Sequence, residues 1–450
     1  MDEIFQQSPA PAYEGTVFSS DLSGEVKLII DTEGLVLDSL FKRKTVAYAQ
    51  IESITFEDYA VHIKANNEII NISRMGQSGQ WFYHELVQGY TRKVLSAFFV
   101  TGAADLETEG QYFYDGVHGK AAICVFSDCL CILPPNLNAR RIPFVFLNDM
   151  KKDDCSLTIT LSTGEIYSFS MLGFDLEPLR NMIADRIRKS RDNNIAFVKM
   201  LQPALGFSDS NKAGALLPEG IAVQLKQLPP TIERTMEKKA LNSKMAASYE
   251  QLKNICDYAR LAVGIKTLPE EEFAALKQQL LEKLNESAEQ TVELPPEQED
   301  ALRWVIWAAI PSKDGKTAVV EFAFPGEDAA TYLFSINDWE HFLMLLNRGM
   351  EATQMRREVL SLAEEALKSE ANVTQRMLII RTPALAELRK RFIGRVIHRS
   401  QETWKNSLIS KLEKGSEAEP IEDKAPNCCH NCGGKLIPGA KFCSECGSKI

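Results

Sequence analysis

The residues with the most definite chemistry are the thiols of the last 23 residues. Cys429-His430-Asn431-Cys432-Gly433-Gly434-Lys435-Leu436 is matched by Cys443-Ser444-Glu445-Cys446-Gly447-Ser448-Lys449-Ile450, so Cys-x-x-Cys-Gly-x-Lys-apolar occurs twice. A Cys-x-x-Cys turn aims two thiolates at one point, and the Gly after it allows the positive φ of a tight knuckle. Two knuckles supply four sulfurs, the closed tetrahedral set of a structural zinc site. Pro438-Gly439 between them is a turn signal that sets the knuckles on facing arms of a hairpin. The expected ligands of one structural Zn²⁺ are therefore Cys429, Cys432, Cys443 and Cys446. A redox pair or disulfides would be the alternative, but two symmetric knuckles argue against them.

This segment resembles the small terminal zinc ribbons of bacterial and archaeal proteins, whose usual form is Cys-Pro-x-Cys-Gly, a spacer, then Cys-x-x-Cys-Gly. The chain departs from that form at His430, which stands where Pro is common, and in the extra thiol Cys428 beside the first ligand. The repeat keeps Cys429, not Cys428, in register with Cys443, and His430 reads as a surface residue.

Elsewhere the chain lacks the patterns that catalysis needs. It has no Gly-x-x-x-x-Gly-Lys-Ser/Thr phosphate loop, no His-Glu-x-x-His and no Gly-x-Ser-x-Gly. The six histidines are scattered, and Asp153-Asp154 and Glu270-Glu271-Glu272 read as solvated charges of a turn and a helix start. The expectation is a binding protein, not an enzyme. Candidate anion or phosphate contacts are Lys42, Arg43, Lys44, Arg140 and Arg141 in strand connections. Arg389, Lys390, Arg391, Arg395 and Arg399 line a basic amphipathic helix expected over 383–414. Packing of that helix's apolar stripe inside the protein, with its arginines against acidic surface, is the competing reading.

The elements that carry these residues belong to a 450-residue chain of net charge −10, too acidic to be coated for nucleic acid. The charge is uneven: residues 376–414 hold ten Lys or Arg and three Glu. No apolar run is long enough to span a bilayer, and the acidic start Met1-Asp2-Glu3 does not read as a signal peptide. Five cysteines outside the ribbon (Cys124, Cys129, Cys131, Cys155 and Cys256) read as small buried hydrophobes in a reducing, cytoplasmic setting.

After an arm over 1–23, alternating segments from Gly24 predict antiparallel strands and then an amphipathic helix carrying Phe82, Leu86, Tyr90 and Val94. The same order returns 96 residues later, where Leu157-Thr158-Ile159 matches Val61-His62-Ile63. The units 24–102 and 103–192 both resemble bacterial pleckstrin-homology-like (PH-like) domains, which implies a curled sheet closed by its last helix. The fold class expected is α+β: tandem PH-like antiparallel modules, a helical middle region and a small C-terminal zinc ribbon.

The breakers Pro203, Gly206, Gly214 and Pro218 suggest a connector over 193–230. Residues 231–295 read as a helical hairpin that resembles the bacterial short oligomerisation domain through Gly264-Ile265-Lys266-Thr267 and the acidic cluster after it. Residues 296–350 suggest a third, partial PH-like unit, 351–414 a helical region and 415–427 a flexible linker to the ribbon at 428–450. The function these imply is a non-enzymatic scaffold that binds protein partners through its modules and ribbon, with self-association at the hairpin. Nucleic acid held by the basic helix and ribbon, and an anionic membrane surface held by the modules, are the alternatives.

Overall fold

In the computed structural model, residues 12–286, 294–398 and 400–415 are described. The first sheet is built from β1 (Ala12–Phe18), β2 (Ser23–Ile30), β3 (Gly34–Asp38), β4 (Arg43–Ala47), β5 (Ile51–Glu57), β6 (Ala60–Ala65) and β7 (Glu68–Ser73), followed by helix α1 (Ser78–Ala97). The second is built from β8 (Leu106–Tyr114), β9 (Val117–Val125), β10 (Cys129–Leu133), β11 (Arg140–Pro143), β12 (Leu147–Lys152), β13 (Ser156–Leu161) and β14 (Ile166–Ser170), followed by α2 (Leu176–Leu201). After these come α3 (Phe207–Leu216), β15 (Val223–Gln224), α4 (Pro230–Leu241), α5 (Ala246–Ile255), β16 (Ala262–Thr267), α6 (Glu270–Glu286) and α7 (Pro296–Leu302). The chain continues with β17 (Trp304–Pro311), β18 (Thr317–Ala323), β19 (Ala330–Ser335), α8 (Trp339–Ala352), α9 (Glu358–Ser361) and α10 (Glu364–Leu367). Last are α11 (Val373–Arg381), α12 (Pro383–Lys390), β20 (Phe392–Ile397) and α13 (Gln401–Gly415).

The first two sheets are copies in detail. Their strand orders are β4-β3-β2-β1-β7-β6-β5 and β11-β10-β9-β8-β14-β13-β12, antiparallel throughout. A 3-10 turn precedes the last-placed strand in both (Tyr48–Gln50 and Phe144–Phe146), and both of those strands bulge at their start, between Ile51 and Ser53 and between Leu147 and Asp149. Each first strand carries a glycine facing the sheet's own core. A Cβ on Gly15 would lie 3.0 Å from Met75, and one on Gly110 would lie 2.8 Å from Leu172. In α1, Phe82, Leu86, Tyr90 and Val94 recur every fourth residue and are all buried. That stripe is what lays the helix over its sheet.

The third sheet, β15-β16-β17-β18-β19-β20, is a plain antiparallel meander. Every residue of β17 and β18 is buried, so both faces of these strands are covered. The described residues divide into two compact units: 12–186 with 362–383, and 187–361 with 384–415. No helix among the described residues is long and apolar enough to cross a membrane.

Several expectations need correction. The arm over 1–23 contains β1, a central strand paired to both β2 and β7; its Gly and polar residues hide it from a pattern search. The connector 193–230 is largely helical, and Gly214 marks close helix packing, since a Cβ there would meet the Ile195 backbone at 3.0 Å. The hairpin 231–295 is not two helices in succession. Ala262–Thr267 is strand β16, and Gly264 lies directly opposite Trp307, whose indole a Cβ would meet at 2.1 Å. The unit 296–350 supplies three strands of the six-stranded meander and lacks the strand order of the first two sheets. The continuous basic helix is broken, because Phe392-Ile393-Gly394-Arg395-Val396-Ile397 is apolar, β-branched and aromatic enough to form β20 on the edge of that sheet. Cys155 is exposed, whereas Cys124, Cys129, Cys131 and Cys256 are buried.

Candidate functional site

The two copied modules are joined through backbone. The β10–β11 connection of the second reaches the bulged β5 edge of the first. Ile54 N–H donates to the Pro135 carbonyl (2.9 Å), Leu137 N–H donates to the Glu52 carbonyl (3.1 Å), and Ser53 bridges Asn136. The Tyr90 hydroxyl donates to the Asn136 carbonyl (2.9 Å) and accepts from Arg381 Nη2 (2.7 Å). Burial pushes the Tyr90 hydroxyl's pKa up, so it remains a donor.

Beside this junction lies a cleft of about 820 Å³. Its wall is the exposed stripe of α1, including His84, Gln88 and Arg92. Its floor is one face of the β8–β9 hairpin, where Glu109 lies opposite Ala122 and Gln111 opposite Lys120. The period-2 face of the hairpin and the helical stripe of α1 thus present charges of both signs to the cleft. Cys124 sits on the floor. Burial first, and the Glu107 charge second, push its thiol up to about 12. It stays protonated near neutrality and is a poor nucleophile.

The sequence-derived cations are mostly engaged within the fold. Lys42 and Lys44 both pair with Asp21 (2.6 Å each), and Lys44 also pairs with Glu68 (2.7 Å). Bonding to Lys42 and Lys44 holds the Asp21 carboxyl well below the usual range, and bonding to Lys44 and Ser20 lowers that of Glu68. Arg43 is exposed on β4. Arg140 lies over the Tyr114 ring (4.9 Å) and donates to the Leu137 and Ala139 carbonyls. Arg141 is buried and pairs with Asp128 (2.6 Å). Arg389 donates to the Val359 carbonyl, Arg391 pairs with Glu387 (2.5 Å), and Arg395 covers the Tyr332 ring (4.9 Å). Lys390 is exposed. These residues do not converge on one pocket. Arg399 and the four expected zinc ligands Cys429, Cys432, Cys443 and Cys446 lie outside the described residues. Among the described residues, no group of three or more His, Cys, Asp or Glu is placed to hold a metal ion.

A second polar constellation, with no motif in the sequence, lies on the third sheet. Glu321 on β18 is fully buried, and its carboxylate accepts from the Ser248 hydroxyl (2.8 Å) and the Thr331 hydroxyl (2.5 Å). His398 Nε2 lies 2.9 Å from Glu321 and 2.9 Å from Thr331 Oγ1, and Trp404 Nε1 donates to Thr331 Oγ1 (2.7 Å). The donors balance if Nε2 carries a proton, because Thr331 then accepts from His398 and Trp404 while it donates to Glu321. A hydrolytic relay needs the two ring nitrogens to face different partners. Here one nitrogen meets both carboxylate and hydroxyl, and Thr331 is fully buried. The constellation fastens α5, β20 and α13 to the sheet. Its only sequence signals were a Glu inside an apolar strand and a Thr opposite it across the β18–β19 register.

The chain matches no protein-family model and no curated protein.

Proposed function

We propose that this chain is a non-enzymatic, zinc-binding scaffold whose tandem PH-like modules hold a protein partner in the cleft between them. The observation that carries this reading is the junction at β5. It locks two like modules together, so the cleft has a preformed wall from one and floor from the other. Preformed surfaces bind without the ordering cost of a mobile pair. The shared strand order and closing helix support the PH-like assignment. The repeated Cys-x-x-Cys-Gly supports one structural Zn²⁺ on Cys429, Cys432, Cys443 and Cys446. The basic residues near 389–395 bond largely within their own fold, so the nucleic-acid reading has less to stand on.

Two measurements test the proposal. Metal analysis should find one Zn²⁺ per chain, absent from a Cys443→Ser/Cys446→Ser variant and retained in Cys428→Ser; full zinc in the double variant refutes the ligand set. Cross-linking in the native host should recover a partner peptide attached to cleft residues such as Lys120. An Arg92→Glu/Lys120→Glu variant with unchanged circular dichroism should lose that partner. Undiminished capture by this variant excludes the cleft.

A further inference from the structure

The turn that docks the second module onto the first has a counterpart in the first module, and that counterpart is bare. The β10–β11 connection, Pro134–Ala139, is the docking element; Pro135 to Asn138 within it are each partly covered. The corresponding β3–β4 connection is Ser39–Lys42, and it presents Leu40 and Phe41 at 95% and 97% exposure. The turn closes on itself: Ser39 N–H and the Ser39 hydroxyl donate to the Lys42 carbonyl (2.9 and 2.8 Å), and Lys42 N–H donates back to Ser39 Oγ (3.0 Å). Lys42 is tied back to Asp21, which leaves the two apolar side chains as the projecting point.

The receiving edge has a bare counterpart too. β5 accepts the docking turn at its bulge, through the Ile54 N–H and the Glu52 carbonyl. In β12, which bulges at the same place, the matching residues are Met150 and Asn148. Met150 N–H turns to its own neighbour, donating to Asp149 Oδ1 (2.9 Å). Asn148, Asp149, Lys151 and Lys152 on this edge are exposed. One chain therefore holds an unused plug at one end of its tandem and an unused socket at the other, and the used pair between them shows how they fit.

We infer that the occupant of each is a second copy of this chain. The Ser39–Lys42 turn of one copy seats on the β12 edge of the next, repeating between chains the contact that joins the modules within a chain. The Met150 N–H exchanges the Asp149 carboxylate for an incoming carbonyl, the Asn148 carbonyl accepts an incoming N–H, and Leu40 and Phe41 leave water. The contact is head-to-tail, so it propagates beyond a pair. It is also small and lacks the tether that favours the internal copy, so assembly is concentration-dependent. This inference is independent of the partner reading, since it uses neither the cleft nor the ribbon.

Sedimentation velocity of the full chain over a wide concentration series tests it. The expected result is a weight-average mass that climbs past the dimer. Leu40→Ser/Phe41→Ser, at fully exposed positions, should weaken association on the order of 100-fold through lost apolar burial. Met150→Pro removes the edge N–H at an outward-facing position where Pro is tolerated, and should do the same. Mixing the two variants should restore one-to-one pairs and nothing larger, because each retains the half the other lacks. A chain that stays monomeric throughout overturns the proposal. So does association that survives in either variant, or a mixture that fails to pair. Retention of Leu40→Ser/Phe41→Ser but not wild type in solution after incubation with phosphatidylcholine vesicles would assign the tip to a membrane surface and overturn it as well.

Discussion

Replacing Glu321 with Ala should selectively unfold the unit that holds the third sheet. The carboxylate is fully buried and accepts from Ser248, Thr331 and His398 at 2.8, 2.5 and 2.9 Å. Its removal leaves the Thr331 hydroxyl and the His398 ring without their buried acceptor, while Ser248 can still donate to the Met245 carbonyl (2.9 Å). Each buried donor left without a partner costs about 1–3 kcal/mol, and the truncated side chain leaves a cavity that adds to this. We expect a loss of about 3–5 kcal/mol, which lowers the urea midpoint by roughly 1–5 M at slopes of about 1–3 kcal/mol per M. Intrinsic fluorescence suits the assay, because Trp304, Trp307, Trp339 and Trp404 all lie in this unit and only Trp81 lies in the other. The network also implies non-additivity. Glu321→Ala combined with Thr331→Val should cost less than the sum of the single changes by about 0.5–3 kcal/mol. A single-site loss below about 0.5 kcal/mol, the range of changes away from the core, would refute the idea that these groups depend on one another.

Alkylation at mildly alkaline pH should modify Cys155 in the folded protein while Cys124 and Cys256, whose thiols burial pushes up to about 12, react only after unfolding; peptide mapping reads the difference. The Lys42–Asp21–Lys44–Glu68 cluster should persist under mild acid. Both carboxyls have pKa values below those of an unfolded chain, so their contribution is present above the ordinary carboxylate range and disappears only as pH falls through the lowered folded values. Carboxyl carbon titration by NMR that finds ordinary values for both would contradict this. Gly264→Ala should destabilise by about 1–3 kcal/mol or more through overpacking against the Trp307 indole, measured by the same urea assay.

Much of the first 190 residues was legible because period-2 segments and their return 96 residues later report burial on one face of a sheet. Phe82, Leu86, Tyr90 and Val94 announced α1 for the same reason at helical spacing. β1 carries little apolar signal because Gly15 gives up a side chain to let Met75 approach. β16 reads from sequence as the connection of a helical hairpin, and β20 as part of a basic helix, because the flanking Leu and Lys residues suit a helix. Only pairing with Trp304–Pro311 and Ala330–Ser335, distant in sequence, decides for strand. The cleft could not be read at all, since it depends on the turn after β10 reaching β5. Pairing of Lys42 and Lys44 with Asp21 is likewise a product of three turns brought to one end of a sheet.

The return of the chain to its first unit has a consequence for synthesis. Tyr90 on α1 receives its hydrogen bond from Arg381, 291 residues later, and α11 packs on α1. A nascent chain that has emerged through residue 186 therefore carries both copied sheets but leaves that side of α1 uncovered. At about 5–20 residues per second, residues 187–361 take roughly 10–35 s to add. For that interval the first unit waits, compact but unfinished, for a segment that does not yet exist. Expression of residues 12–186 alone would make the wait permanent, and a boundary chosen from the repeat would cut in the wrong place.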